Sequence, residues 1–366
     1  AIAHRAGGIL PEPPPELLSK GLKLKIDFTN PLIAAQKAIG VQAASQLVSF
    51  GLAAAQAFDA AGWHVVAQVR REAAAGMPQR AELLRSSLTG VAQALAARPA
   101  DRPQPTVVVH GINPVYTRWN EEALPALDSG IALAGQLGAR FFLPGNVYNY
   151  GDAMPALLNE HTPQRPTTEK GRIRVEMERR LEQHAAAGRL RATVITAGDF
   201  FGAGTGSWFD QAIAKPIGRG RIDYPGAPEL MHAWAYLPDL ARAFVAVAAR
   251  PNAAAFERYT YAGHSVTGTA FVAALEEAAG RLGLAPSRGW KHGRMPWPLI
   301  RAVGLVLPVW RELARMSYLW RVPHALDGRA LGRTAGPLPH TPLVEALMQA
   351  LQQLDPGAAS ARTQPA

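Results

Sequence analysis

The segment Phe50–Arg71 reads FGLAAAQAFDAAGWHVVAQVRR. Its first half carries apolar residues at helical spacing and stops at Gly62, while WHVVAQV is a β-branched run suited to a strand. A helix that feeds a strand in this way is one limb of a βαβ unit, in which parallel strands are joined across a helix. Such a unit, when it binds a nucleotide, opens on a glycine-rich turn at the helix N-terminus. Here the preceding residues are AASQLVS (Ala43–Ser49), with no glycine among them.

The rest of the chain continues the alternation. TVVVHGINP (Thr106–Pro114), ARFFLPGNVYNYG (Ala139–Gly151) and LRATVITAGDFFG (Leu190–Gly202) begin as apolar runs of the kind a strand buried on both faces requires. Helices are expected at AELLRSSLTGVAQALAA (Ala81–Ala97), EEALPALDSGIALAGQLG (Glu121–Gly138) and EKGRIRVEMERRLEQHAAAG (Glu169–Gly188). Together these predict an α/β fold, a Rossmann-like doubly wound parallel sheet over residues 39–204, with function at the carboxyl ends of its strands. Residues 205–355 read as a smaller C-terminal α+β substrate lobe. They contain LPDLARAFVAVAAR (Leu237–Arg250), the strand FERYTYAG (Phe256–Gly263) and two later helices. Asp239, near the start of the first of these helices, is expected to cap it. Residues 1–38 read as an irregular, proline-rich extension and 356–366 as a disordered tail.

Composition narrows the function classes. The 366 residues include 38 Lys+Arg against 28 Asp+Glu, a net charge of +10. The basic residues are scattered, with no long basic run, so nucleic acid is not an expected partner, whereas small phosphorylated molecules are compatible. The absence of cysteine excludes disulfides and thiolate chemistry. No HExxH motif or GxSxG elbow occurs and the ten histidines are dispersed, so neither a metal site nor a serine hydrolase is expected. The apolar stretch WPLIRAVGLVLPVW (Trp297–Trp310) is interrupted by Arg301 and Pro308 and suits a core or interfacial helix better than a membrane span. A cytoplasmic protein, with homodimerisation open, is the expectation.

In order and spacing, AGWHVVAQVRR, VVVHGINP, GNVYNYG, TPQRPTTEKGRIRVEMERRL, AGDFFGAGTGSW, WAYLPDLARAF and YLWRVPHALDGRALGR resemble the extended short-chain dehydrogenase/reductase family, its NAD-dependent epimerase/dehydratase group. The resemblance runs from about Gly51 to Leu351. It implies an NAD(P)-dependent oxidoreductase or epimerase/dehydratase acting on a small polar, nucleotide-linked substrate. The alternative is a non-catalytic scaffold of the same fold that has kept the dinucleotide cradle.

Mapped onto the family's GxxGxxG turn, Ser45 and Val48 take the first two glycine positions and Gly51 the third, where it would permit close helix–sheet packing. Arg70 and Arg71 stand where an acidic residue would select NAD. They suit a 2′-phosphate, which tips the expectation toward NADP over NAD. The family's serine position falls on Pro144, and its YxxxK pair falls on Lys170 and Arg174. One helical turn separates these two cations, so both can face the cofactor edge. The candidate catalytic residues are therefore Lys170, Arg174, Tyr148 and Asn146, with Tyr150 a further candidate acid. Those expected at the cofactor are Gly51, Arg70, Arg71, His110, Asn113, Ala197 and Phe200. His232 and Trp234 are expected to face the pocket.

Overall fold

The computed structural model of the chain describes residues 50–69, 75–114, 117–203, 207–251 and 253–354. The expected N-terminal extension, the C-terminal tail, Ser45, Val48, Arg70 and Arg71 lie outside the described residues.

The central sheet has four parallel strands: β3 (Val107–Val109), β4 (Arg140–Asn146), β6 (Arg191–Ala197) and β10 (Phe256–Thr260), in the order β10-β6-β4-β3. A separate parallel pair, β1 (Val66–Val69) with β2 (Glu82–Arg85), precedes it in sequence. The strand β2 corrects an expectation, since Ala81–Ala97 was to be one helix. Leu83 and Leu84 instead pair with β1, and a helix, α2 (Val91–Ala96), forms only beyond Gly90. Glu82 and Arg85 flank two leucines in a pattern too short to distinguish a helical turn from a strand, and strand pairing decided it.

Both faces of the central sheet are covered, as fully apolar parallel strands demand. Successive side chains of β4 point to opposite faces. Phe141 and Leu143 pack with Leu127 and Ile131 of α3 (Trp119–Leu137) and with Met177 and Leu181 of α4 (Glu169–Ala186). Phe142 packs on the other side with Phe50 and Phe58 of α1 (residues 50–60) and with Phe244 of α5 (Leu237–Ala248). The same alternation runs along β6, where Val194 joins the first core and Ile195 the second. This is a doubly wound sheet. Its fourth strand, β10, comes from the segment assigned to the smaller lobe.

That lobe is built on a third core. It contains the two-residue strand β5 (Leu157–Leu158) paired with β13 (Ala325–Leu326), and β8 (Arg221–Tyr224) paired with β12 (Lys291–Arg294). A three-stranded sheet joins β7 (Asp199–Phe201), β9 (Met231–Tyr236) and β11 (His264–Thr267). Around these lie α6 (Gly268–Arg281), α7 (Trp297–Gly304), α8 (Pro308–Arg315) and α10 (Leu343–Leu354), while α9 (Arg329–Ala335) packs through Leu331 into the second core of the central sheet. The apolar stretch Trp297–Trp310 becomes two short helices. Ile300 and Trp310 are buried in the lobe while Leu305 and Val306, between the helices, are nearly fully exposed. No helix among the described residues is long and apolar enough to cross a membrane.

At the amino end of the sheet, Arg140 is buried and ion-paired with Glu257 of β10. Its guanidinium also donates to Thr193 Oγ1 at 2.8 Å and to the Val247 carbonyl at 2.9 Å. Removing one member of a buried pair leaves an uncompensated charge. Arg250, 3.1 Å from Glu257, offsets part of that loss. Arg140→Met should therefore destabilise the fold by about 3 kcal/mol, measured as a lower urea midpoint. An unchanged midpoint would show that the pair contributes nothing.

Candidate functional site

At the opposite, carboxyl edge, β4 ends on Asn146, whose side chain accepts a hydrogen bond from the Tyr148 N–H at 3.1 Å. This bond starts the 3-10 turn Val147–Tyr150, which is buried in the core of the smaller lobe. Helix α4 begins directly against that turn. Thr168 caps it by accepting from the Gly171 N–H at 3.2 Å. Gly171 is required there, because a Cβ at this position would collide with the Tyr148 carbonyl oxygen. The glycine inside EKGRIR thus lets α4 press its first turn onto the turn after β4, which fixes where Lys170 and Arg174 emerge.

Both cations are buried. The guanidinium of Arg174 donates to the Pro144 carbonyl at 3.2 Å and lies 5.0 Å above the ring of Trp119. Its Nε has no hydrogen-bond partner among the described residues. Burial lowers its pKa to about 10, opposed by the neighbouring Tyr148 and Glu178. The ammonium of Lys170 is ion-paired with Glu312, a residue of α8 in the smaller lobe that also binds Arg315 at 2.6 Å. Burial pushes the Lys170 pKa down, and Glu312 acts to raise it.

His110 ends β3. Its backbone N–H donates to the Phe142 carbonyl at 2.9 Å, and its ring stacks on Phe141 with centroids 5.6 Å apart. A Cβ at Gly130 of α3 would approach His110 Nδ1 to 2.9 Å, so the ring is packed tightly beneath that helix. His110 Nε2 is buried without a hydrogen-bond partner among the described residues. The Trp119 indole donates to the Pro114 carbonyl at 3.2 Å, which anchors the chain just beyond the partly exposed Asn113. Ala197 is fully buried at the end of β6, in register with Asn146. Phe200 points toward α1, its ring 6.3 Å from that of Phe50.

The structure therefore gathers Tyr148, Lys170, Arg174 and His110 around the first turns of α4 at the carboxyl edge, with Asn146 bonded to the Tyr148 N–H, and Ala197 and Phe200 on the α1 side. Three expectations need correction. A Cβ at Gly51 would meet no heavy atom of the described residues within 4 Å, so they give no packing reason for glycine there. Trp234 is fully buried and stacks on Phe271 at 4.3 Å, as a core residue rather than a pocket wall. Asp239 makes no capping bond in its own helix and instead accepts from the Thr341 N–H at 2.7 Å.

Several site groups had no sequence signal that would find them. Glu312 reaches Lys170 from the far lobe. His324 is another, beside His232 at 4.7 Å; His232 itself, named from the sequence, is buried, bonds Asp199 at 2.9 Å and stacks flat on Trp320 at 4.3 Å. One turn along α4 from Arg174, Glu178 accepts from Asn149 at 2.7 Å and pairs with Arg258 at 2.8 Å. Asp199 stands in AGDFFG, a stretch that sequence reading does mark, but its partner is visible only in three dimensions.

In overall fold the chain is similar to MoeE5, solved with UDP-glucuronic acid and NAD. The TM-score is 0.59 at 19% identity, over 83% of this chain and 96% of that one. It is similar to the UDP-glucose 4-epimerase of Thermotoga maritima, solved with UDP-glucose, at TM-score 0.62 and 15% identity, over 83% and 94% of the two chains. It also resembles the UDP-glucuronic acid 4-epimerase of Bacillus cereus, solved with UDP-glucuronic acid and NAD. Here the TM-score is 0.60 at 12% identity, over 83% and 94%. No protein-family model matches the sequence, and no curated protein matches it by sequence. At these identities the likeness establishes the fold alone, a Rossmann-type α/β fold.

His110 supplies a pH prediction. Burial lowers its pKa from 6.5 to about 4, with the charge of Arg174 acting in the same direction. Between these values the unfolded chain takes up a proton that the native state refuses, so stability falls as pH drops from 6.5 toward 4. The loss from this group is up to about 3 kcal/mol. Urea unfolding of His110→Leu at pH 7 and pH 4.5 should show a smaller acid loss than wild type. Equal losses would mean that His110 titrates normally.

Proposed function

We propose that the chain is an NAD(P)-dependent oxidoreductase or epimerase/dehydratase of the extended short-chain dehydrogenase type, acting on a small polar, nucleotide-linked substrate. The observation that carries this reading is the burial of two cations one turn apart, Lys170 and Arg174, at the carboxyl edge of a doubly wound sheet. Buried charges with shifted pKa values at that edge are the mark of a working site more than of a stable core.

The described residues fit a dinucleotide in one respect. Arg174 Nε and His110 Nε2 are buried polar atoms without partners among the described residues, which the hydroxyls of a ribose would satisfy. When bound, the nicotinamide would supply hydride transfer at a carbinol or carbonyl carbon. Arg174 orients the ribose and is too basic to serve readily as the acid. Lys170 holds the proton that the family's tyrosine would hold. Burial lowers its pKa, and Glu312 keeps a countercharge beside it. Tyr148, buried on the turn against which α4 packs, is the second proton carrier of the site.

A second reading, a dinucleotide-binding protein without turnover, is favoured by the same ion pair. Glu312 neutralises Lys170, and Arg174 spends one donor on the Pro144 carbonyl. The cofactor choice also stays within the proposal. Arg70 and Arg71 supply a physical reason for NADP, whereas MoeE5 and the Bacillus cereus enzyme were solved with NAD.

Thermal unfolding with each dinucleotide tests both readings. At a hundredfold excess over Kd, a ligand that binds only the native state stabilises it by about 2.7 kcal/mol. A shift with NAD or NADP is expected, with Arg70→Asp weakening NADP more than NAD. No shift with either dinucleotide contradicts both readings, and a shift without turnover on any UDP-sugar selects the second.

A further inference from the structure

The chain brings a second set of chemically capable side chains together away from Lys170. Asp239 lies in the first turn of α5, His264 opens β11, and His340 stands in the connection between α9 and α10. One donor atom from each lies within 4.8 Å of the other two. The two imidazole rings are 4.6 Å apart. We propose that Asp239, His264 and His340 form a binding site for one divalent first-row transition-metal ion of the zinc class.

Two imidazoles and a carboxylate are the donor set that such ions prefer, in contrast to the all-oxygen surroundings sought by magnesium or calcium. His264 is buried, so its ring is held in place beside Asp239 and His340. Neither ring makes a hydrogen bond among the described residues, whereas Asp239 is firmly oriented. The carboxylate accepts from the Thr341 N–H at 2.7 Å and from the Thr341 hydroxyl at 2.9 Å. Such bonds aim a ligating carboxylate and leave lone pairs for the ion.

Zinc–nitrogen bonds of about 2.0–2.1 Å require the three donors to draw closer than 4.8 Å. His340 is the mobile partner in that closure, since it is exposed. Arg242, ion-paired with Asp239, is the competitor. Its side chain is 43% exposed and free to swing into solvent when the ion arrives. Three protein ligands leave a fourth position open, as in sites that hold a water or a substrate atom. His340 lines a cavity of about 840 Å³ together with Tyr261, Asp327 and Arg329, and the open position would face it.

The site consists of residues far apart in sequence, which is why no ligand spacing announced it. It is also independent of the dinucleotide reading. The test is calorimetric titration of zinc chloride into the metal-stripped, tag-free full chain, with cobalt(II) substitution read by its visible absorption. The expected result is one equivalent bound in wild type, with affinity at least about tenfold weaker in His340→Ala and in His264→Ala. Arg242→Ala should bind zinc as tightly as wild type or more tightly. Because His340 is exposed, its variant should keep the wild-type circular dichroism and melting profile, so the test stands even where His264→Ala fails to fold. No stoichiometric zinc binding in wild type, or binding unchanged in His340→Ala, overturns the proposal.

Discussion

Placing a lysine and an arginine inside a protein carries a desolvation cost of several kcal/mol per ion unless partners replace the lost water. Helix α4 does this twice, one helical turn apart, and the surrounding structure can be understood as the set of partners it needs. Arg174 is held locally, by the Pro144 carbonyl of β4 and the face of Trp119 at the start of α3, with its Nε left unbonded among the described residues. Lys170 is satisfied remotely, by Glu312 of the smaller lobe. One cation therefore ties α4 to the sheet, and the other ties the sheet domain to its lobe.

The connection runs through backbone as well as charge. Gly171 allows α4 to touch the carbonyl of Tyr148, and the turn Val147–Tyr150 is itself part of the lobe's core. Movement of the lobe against the sheet would thus be felt at Lys170 through both Glu312 and the turn. The same continuity places Asp199, at the β6–β7 junction, in contact with His232 of β9, so both edges of the site are shared between the two cores.

Much of this fold was legible in the sequence because burial on both faces leaves a plain signal. VVV in β3, RFFLPGN in β4 and RATVITA in β6 are strands that nothing but a covered parallel sheet would accept. The cations Lys170 and Arg174 were legible by position, through the spacing of one helical turn. Short elements were not: ELLR is equally a helical turn or a strand until β1 lies beside it. Nor were partners supplied across the chain. Glu312 sits in WREL, an ordinary amphipathic turn whose function depends on how α8 docks. Asp239 looked like a helix cap because an acidic residue near a helix start usually is one, yet Thr341 claims it from beyond α9. Gly51 was chosen by register with a glycine turn whose other two positions lie outside the described residues.

What the site does depends on whether the buried guanidinium of Arg174 is there for a ligand or only for the carbonyl and ring that already surround it. Among the described residues neither Arg174 Nε nor His110 Nε2 has a hydrogen-bond partner, which favours the ligand. The most direct measurement is the dissociation constant of the preferred dinucleotide for wild type and for Arg174→Met, each verified as folded. A loss of at least about tenfold, near 1.4 kcal/mol, is the predicted result. Equal affinity in the two proteins would contradict the account.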